Sequence, residues 1–176
     1  MNRDEVLNFS PSGIYCPAGD FYIDPWRPVE RALITHGHAD HARKGHKYYL
    51  STDIAAPVLK HRLGHITLET LRYSEIRQIG SARVSFHPAG HVPGSAQIRV
   101  KVGGEAWVVS GDYKLEDDGL STAFDPVPCH SFVTECTFGL PVFRWQPQAQ
   151  VFQEINKWWA DNAANGVVSV VGAYGL

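Results

Sequence analysis

Apolar and polar positions along the chain fall into short alternating runs more often than into long helical stripes. From Gly13 to Ile23 the pattern predicts two short strands around the turn Pro17-Ala18-Gly19-Asp20, with Asp24 ending the second. Val29 to Thr35 is a short apolar strand. Thr52 to Leu63 has helical spacing, with Ile54, Val58 and Leu59 on one face and Thr52 as its cap. Ala82 to His87 alternates as a strand, and Gln97 to Ser110 reads as a hairpin turning at Gly103-Gly104. Ser131 to Thr134 is another short strand. Pro147 opens a helix running through Ala163, with Val151, Ile155, Trp158 and Trp159 on one stripe. Val167 to Val171 is apolar on both faces, as a strand inside a sandwich would be. Strands flanked by helices predict an α/β fold, with most of the early sequence in sheet.

Three of these strands share an ending. Ile34 leads into His36-Gly-His-Ala-Asp-His41, Phe86 into His87-Pro-Ala-Gly-His91, and Val109 into Ser110-Gly-Asp112. Each is an apolar strand spilling into a loop with His or Asp beside Gly. Loops at one end of a sheet can converge. Imidazoles, carboxylates and a backbone free to turn are what a divalent-cation site requires. The density of His36, His38, Asp40 and His41 sets this loop apart from a solvated one, which would mix Lys, Glu and Ser. His46, His61, His65, His87 and His130 read instead as surface or core histidines.

Composition narrows the setting. In 176 residues the formal net charge is −2, so nucleic-acid binding would rest on a local patch rather than on overall charge. Arg43-Lys-Gly-His-Lys47 follows the histidine cluster, and Arg27 and Arg31 precede it. Cys16, Cys129 and Cys136 have no CxxC spacing, which fits free thiols in a reducing compartment. The start of the chain has no apolar leader, and no run is long enough to cross a membrane. The expected location is the cytoplasm.

The order His36-x-His-x-Asp-His41, then His91, then Gly111-Asp112, with Asp24 before them, resembles the metallo-β-lactamase superfamily. That resemblance implies a four-layer αβ/βα sandwich with metals at one edge. Glu135-Cys-Thr-Phe-Gly139 is similar to the acidic-x-Thr-aromatic-Gly motif of the β-CASP nucleases. Gly13-Ile-Tyr-Cys16 together with Gly19-Asp-Phe-Tyr-Ile-Asp-Pro-Trp-Arg-Pro28 resembles the bacterial DNA ligase-associated exonucleases. The resemblance implies two zinc ions, or manganese. His36, His38 and His91 would hold one, Asp40 and His41 the other, with Asp112 bridging. Asp40, Asp112 and Glu135 would be the catalytic carboxylates, while Asp24 and Glu135 would orient the imidazoles. Arg27 and Arg43 would contact phosphates. The implied activity is a metal-dependent DNA exonuclease in DNA repair, associated with an ATP-dependent DNA ligase. The alternatives are an RNA 3′-end processing nuclease of the β-CASP group and a small-molecule metallo-hydrolase. The family's later histidine and its β-CASP cap have no counterpart here, and Gly172-Ala-Tyr-Gly resembles the lead into that cap. Residues 1–176 are therefore expected to be the N-terminal part of the domain, incomplete at the C-terminus and impaired as a nuclease.

Overall fold

A computed structural model describes residues 5–173, which form two units, 5–135 and 136–173. The first unit holds two sheets. One is six-stranded, in the order β1 (Asn8–Ser10), β2 (Gly13–Cys16), β3 (Phe21–Ile23), β4 (Arg31–Leu33), β5 (Tyr48–Thr52), β6 (Leu68–Leu71). The other has the order β11 (Ser131–Val133), β10 (Glu105–Val109), β9 (Ala96–Val102), β8 (Ala82–Pro88), β7 (Arg77–Ile79). Phe21, Ile23, Leu33 and Leu50 of the first sheet pack against Val84, Phe86, Ile98 and Val100 of the second, and all are almost fully buried. Helix α1 (Ala56–Leu63) covers the outer face of the first sheet. Its Leu59 and Leu63, one turn apart, meet Ala32, Ile34 and Tyr49. Helix, sheet and sheet give three layers of an α/β sandwich within this unit.

Strand direction decides where the loops go. β3, β4 and β5 run parallel, so the turns that follow β3 and β4 leave the first sheet at one end. In the second sheet β8 and β10 are both antiparallel to β9, and β11 is parallel to β10. The segments leaving β8, β10 and β11 therefore share an end as well. The two sheets are stitched there: Ala96 N donates to Thr35 O at 2.9 Å.

Several expected elements shift. The helix expected from Thr52 starts at Ala56, because Thr52 closes β5 and pairs with Leu71. Its hydroxyl still serves the turn before the helix, accepting from Ala55 N and donating to Gly94 O. The sequence reading assigned no strand to Tyr48–Thr52, Leu68–Leu71, Arg77–Ile79 or Asn8–Ser10; pairing with neighbours makes them strands.

The second unit consists mainly of helix α2 (Gln148–Ala164), which follows Pro147 as expected. The strand expected at Val167–Val171 is not formed. The chain after the helix turns back locally, Val167 N bonding Asn162 O and Asn162 Nδ2 bonding Ser169 Oγ, and these valines pair with no strand among the described residues. A β-branched run becomes a strand only where a neighbour completes its hydrogen bonds. Tyr174 and Gly175, the rest of the segment compared with the lead into a cap, lie outside the described residues.

Candidate metal centre

At the shared end of the sheets, Asp24 follows β3, His36 to His41 follow β4, His91 follows β8 and Asp112 follows β10. The backbone bends sharply to allow this. Gly90 has φ +74°, and a Cβ there would lie 2.2 Å from Lys114 O. Gly111 has φ +56°, and a Cβ there would lie 2.7 Å from Thr35 Cβ. Asp24 itself takes φ +42°, a region that Asp tolerates better than most residues.

His36, His38, His91 and Asp112 place one ligand atom each within 4.8 Å of one another, with His36 buried and the others half-buried. His36 Nε2 lies 2.9 Å from His38 Nδ1, and His91 Nε2 lies 3.2 Å from the same nitrogen. Asp112 Oδ2 is 3.7 Å from His36 Nε2 and 3.6 Å from His91 Nε2. Donors around a tetrahedral ion with bonds of about 2.0–2.1 Å stand ~3.3 Å apart. The separations from 2.9 to 3.7 Å bracket that spacing. The other oxygen of the same carboxylate faces a second group: Asp112 Oδ1 is 3.1 Å from His41 Nε2, which is 3.6 Å from Asp40 Oδ2. One carboxylate therefore separates two sets of converging donors.

Their orientation is set from behind. His41 Nδ1 donates to Asp24 Oδ2 at 2.7 Å, leaving Nε2 to point at Asp112. Thr35 Oγ1 donates to the same Asp24 oxygen at 2.6 Å and lies 3.1 Å from His36 Nδ1, while Thr35 N donates to Asp24 Oδ1. Ser95 Oγ accepts from the backbone N–H groups of His91 and Val92. An Arg62 guanidinium N–H donates to Gly37 O. Thr35, Ser95 and Arg62 were not singled out from the sequence. A Thr closing an apolar strand has no signature of its own, and the other two are brought in from other elements.

Charge follows the geometry. Burial, reinforced by His41, holds the His36 imidazole neutral, far below its ordinary pKa. Burial also lowers His91. At His41 burial opposes the charge, but hydrogen bonds to Asp112 and Asp24 overcome it and raise the group to about 10. The hydrogen bond from His41 in turn pulls Asp112 down to about 2. A metal-free centre therefore holds an imidazolium between two carboxylates.

The remaining sequence candidates divide. Glu135 is half-buried beside Ser110, whose hydroxyl accepts from Glu135 N. With Asp24, Asp40 and His41 it lines a cavity of about 280 Å³, whose walls include Ile14, Ile23, Val109 and Val133. Arg43 is exposed and its Nε donates to Asp40 O, so it stands beside the centre. Arg27 is exposed next to Trp26, which lines the same cavity. Arg31, which precedes the cluster in sequence, is remote from it: it begins β4, at the opposite end, and donates to Gly19 O. His46, His87 and His130 are outside the cluster. Each engages another group, Val29 N, Ser85 Oγ and Ala106 N respectively. No described helix is long and apolar enough to cross a membrane.

No family model matches the chain. A probable DNA ligase of Opitutus terrae is 29% identical over 167 residues, covering 93% of this chain and 16% of that protein. A ribonuclease of Thermus thermophilus is 27% identical over 169 residues, covering 79% of this chain and 36% of that protein. A solved B3 metallo-β-lactamase with an active-site glutamic acid aligns at a TM-score of 0.37 and 18% identity, over 47% of this chain and 41% of that one. The chain thus spans well under half the length of the curated relatives it matches.

Proposed function

We propose that this chain carries the metal centre of a nuclease of the metallo-β-lactamase/β-CASP superfamily, hydrolysing phosphodiester bonds, with DNA preferred over RNA. The observation that carries the reading is the divided carboxylate: Asp112 turns Oδ2 to His36 and His91 and Oδ1 to His41. His36, His38, His91 and Asp112 would hold one divalent ion, and Asp40, His41 and Asp112 a second; zinc fits the nitrogen-rich donors, with manganese as the substitute. Such a pair, when bound, makes water a nucleophile near neutral pH and neutralises charge on the attacking and leaving oxygens.

The chain's own residues supply the rest. Asp24 and Thr35 fix the tautomers of His41 and His36. Asp40, exposed at the mouth, accepts the proton of the attacking water. Glu135 adds negative charge near His91, favouring bound cations there. Arg43 and Arg27 hold substrate phosphates at the rim, offering charge-assisted hydrogen bonds. Likeness to a protein named as a probable DNA ligase supports DNA repair beside an ATP-dependent ligase. The unpaired thiols of Cys16, Cys129 and Cys136 suit the cytoplasm.

Likeness to a ribonuclease supports the second reading, RNA processing. Digestion of matched end-labelled DNA and RNA oligonucleotides with added zinc or manganese separates the two. Faster loss of DNA is expected, and faster RNA cleavage would replace the first reading with the second.

A further inference from the structure

The outer face of the second sheet carries a ladder of cations that the metal centre does not use. In the β8–β9 register Arg83 stands directly opposite Lys101, and Ser85 opposite Arg99. Their neighbours Ala82, Val84, Phe86, Ile98 and Val100 point into the core, so the three cations share the outward face. They line one cavity of about 220 Å³ with Ile76, Val84 and Ser85, and no carboxylate is among its lining residues. No ion pair involves any of the three among the described residues; Arg99 Nε reaches only the carbonyl of Pro128. Like charges directly opposite across a ladder destabilise a sheet. A fold that keeps Arg83 opposite Lys101, with the cation Arg99 on the next row, holds a surface complementary to an anion.

We propose that Arg83, Arg99 and Lys101 form a second contact surface for the nucleic-acid backbone, holding the part of the strand that extends away from the metal centre. This rests on the nuclease reading above. The two rows are two residues apart, ~6.6 Å along β8, and the same strand ends in the loop that carries His91. From Arg83 to His91 the chain spans eight residues, at most ~26 Å. At the duplex rise of about 3.4 Å per nucleotide, some eight nucleotides span that distance. Binding there is electrostatic and independent of sequence, because these side chains would meet phosphate oxygens and not base edges.

The test is the salt dependence of binding. Anisotropy titrations of a fluorescent 20-nucleotide single strand, in chelator so that nothing is cut, give the slope of log Kd against log salt. Replacing Arg83, Arg99 and Lys101 together with Gln should reduce that slope by about 2, at ~0.7 per lost phosphate contact. Because Arg99 also touches Pro128, the pair Arg83→Gln with Lys101→Gln is measured too, with an expected reduction of about 1.4. Its melting temperature at low salt should be unchanged or raised, since a repulsive pair has gone. An unchanged slope in both variants, a wild-type chain that does not bind the oligonucleotide, or a melting temperature that falls would each overturn the proposal. Hydrolysis of bis(p-nitrophenyl) phosphate with zinc or manganese reads the metal centre separately, because that substrate cannot reach the ladder. Absence of that hydrolysis in the wild-type chain, with the slope reductions observed, would sink the nuclease reading and leave the surface standing.

Discussion

His41 Nδ1 lies 2.7 Å from Asp24 Oδ2, a contact between residues seventeen positions apart that fixes which way the imidazole faces. Without it the ring has no reason to present Nε2 to Asp112. Asp24→Asn keeps an acceptor for Thr35 N but presents no anion to His41. The expected result is a 10–100-fold loss of affinity for the ion beside His41, with the ion held by His36, His38 and His91 little changed. Isothermal titration with zinc measures both, and equal losses at the two positions would refute the assignment.

Proton release distinguishes the same two positions. His41 is charged at neutral pH in the metal-free protein because Asp112 and Asp24 raise it to about 10 despite its burial, while His36 and His91 are lowered and neutral. A cation entering beside His41 must displace its proton. Affinity there should therefore rise about tenfold per pH unit between pH 6 and 9. Titrations in buffers of different ionisation enthalpy should show one proton released in that event and none from His36 or His91.

Gly111→Ala places a methyl group against Thr35 in a backbone region unfavourable to Ala. It should destabilise the chain by about 1–3 kcal/mol and weaken both ions, since Thr35 orients two ligands. Urea unfolding with and without zinc checks this, and a neutral result would show that the two loops can part without cost.

Acid should loosen the fold through His46. Its ring is buried, its Nδ1 accepts from Val29 N at 3.3 Å, and burial lowers its pKa below the usual 6.5. The unfolded chain then binds the proton more readily. The stability this neutral ring contributes is complete above about pH 6.5 and is lost as pH falls through the folded-state value. His46→Asn keeps an acceptor that does not titrate. In chelator, its unfolding free energy should fall less steeply between pH 6.5 and 5 than that of the wild-type chain.

The cluster was readable from sequence because its donor side chains sit at strand ends in local groups. His36, His38, Asp40 and His41 announce themselves by spacing, and His91 and Asp112 by the Gly before each. Thr35 was not readable, because its role depends on Asp24 and Gly111 arriving from other strands. The cation ladder needed the β8–β9 register, which is a non-local property. Val167–Val171 shows the opposite failure: composition suited to a strand, with no neighbour to pair with among the described residues.

Thr35 holds more than tautomers. Its carbonyl takes the hydrogen bond from Ala96 in the opposite sheet, and its side chain abuts Gly111. His36 and His38 leave one sheet and His91 and Asp112 the other, so an ion shared among them would be a rivet through the sandwich. Prising the sheets apart would mean breaking coordination bonds as well as exposing apolar surface. Metal removal should consequently be felt far from the ligands, as faster amide exchange in the core strands β4, β8 and β9.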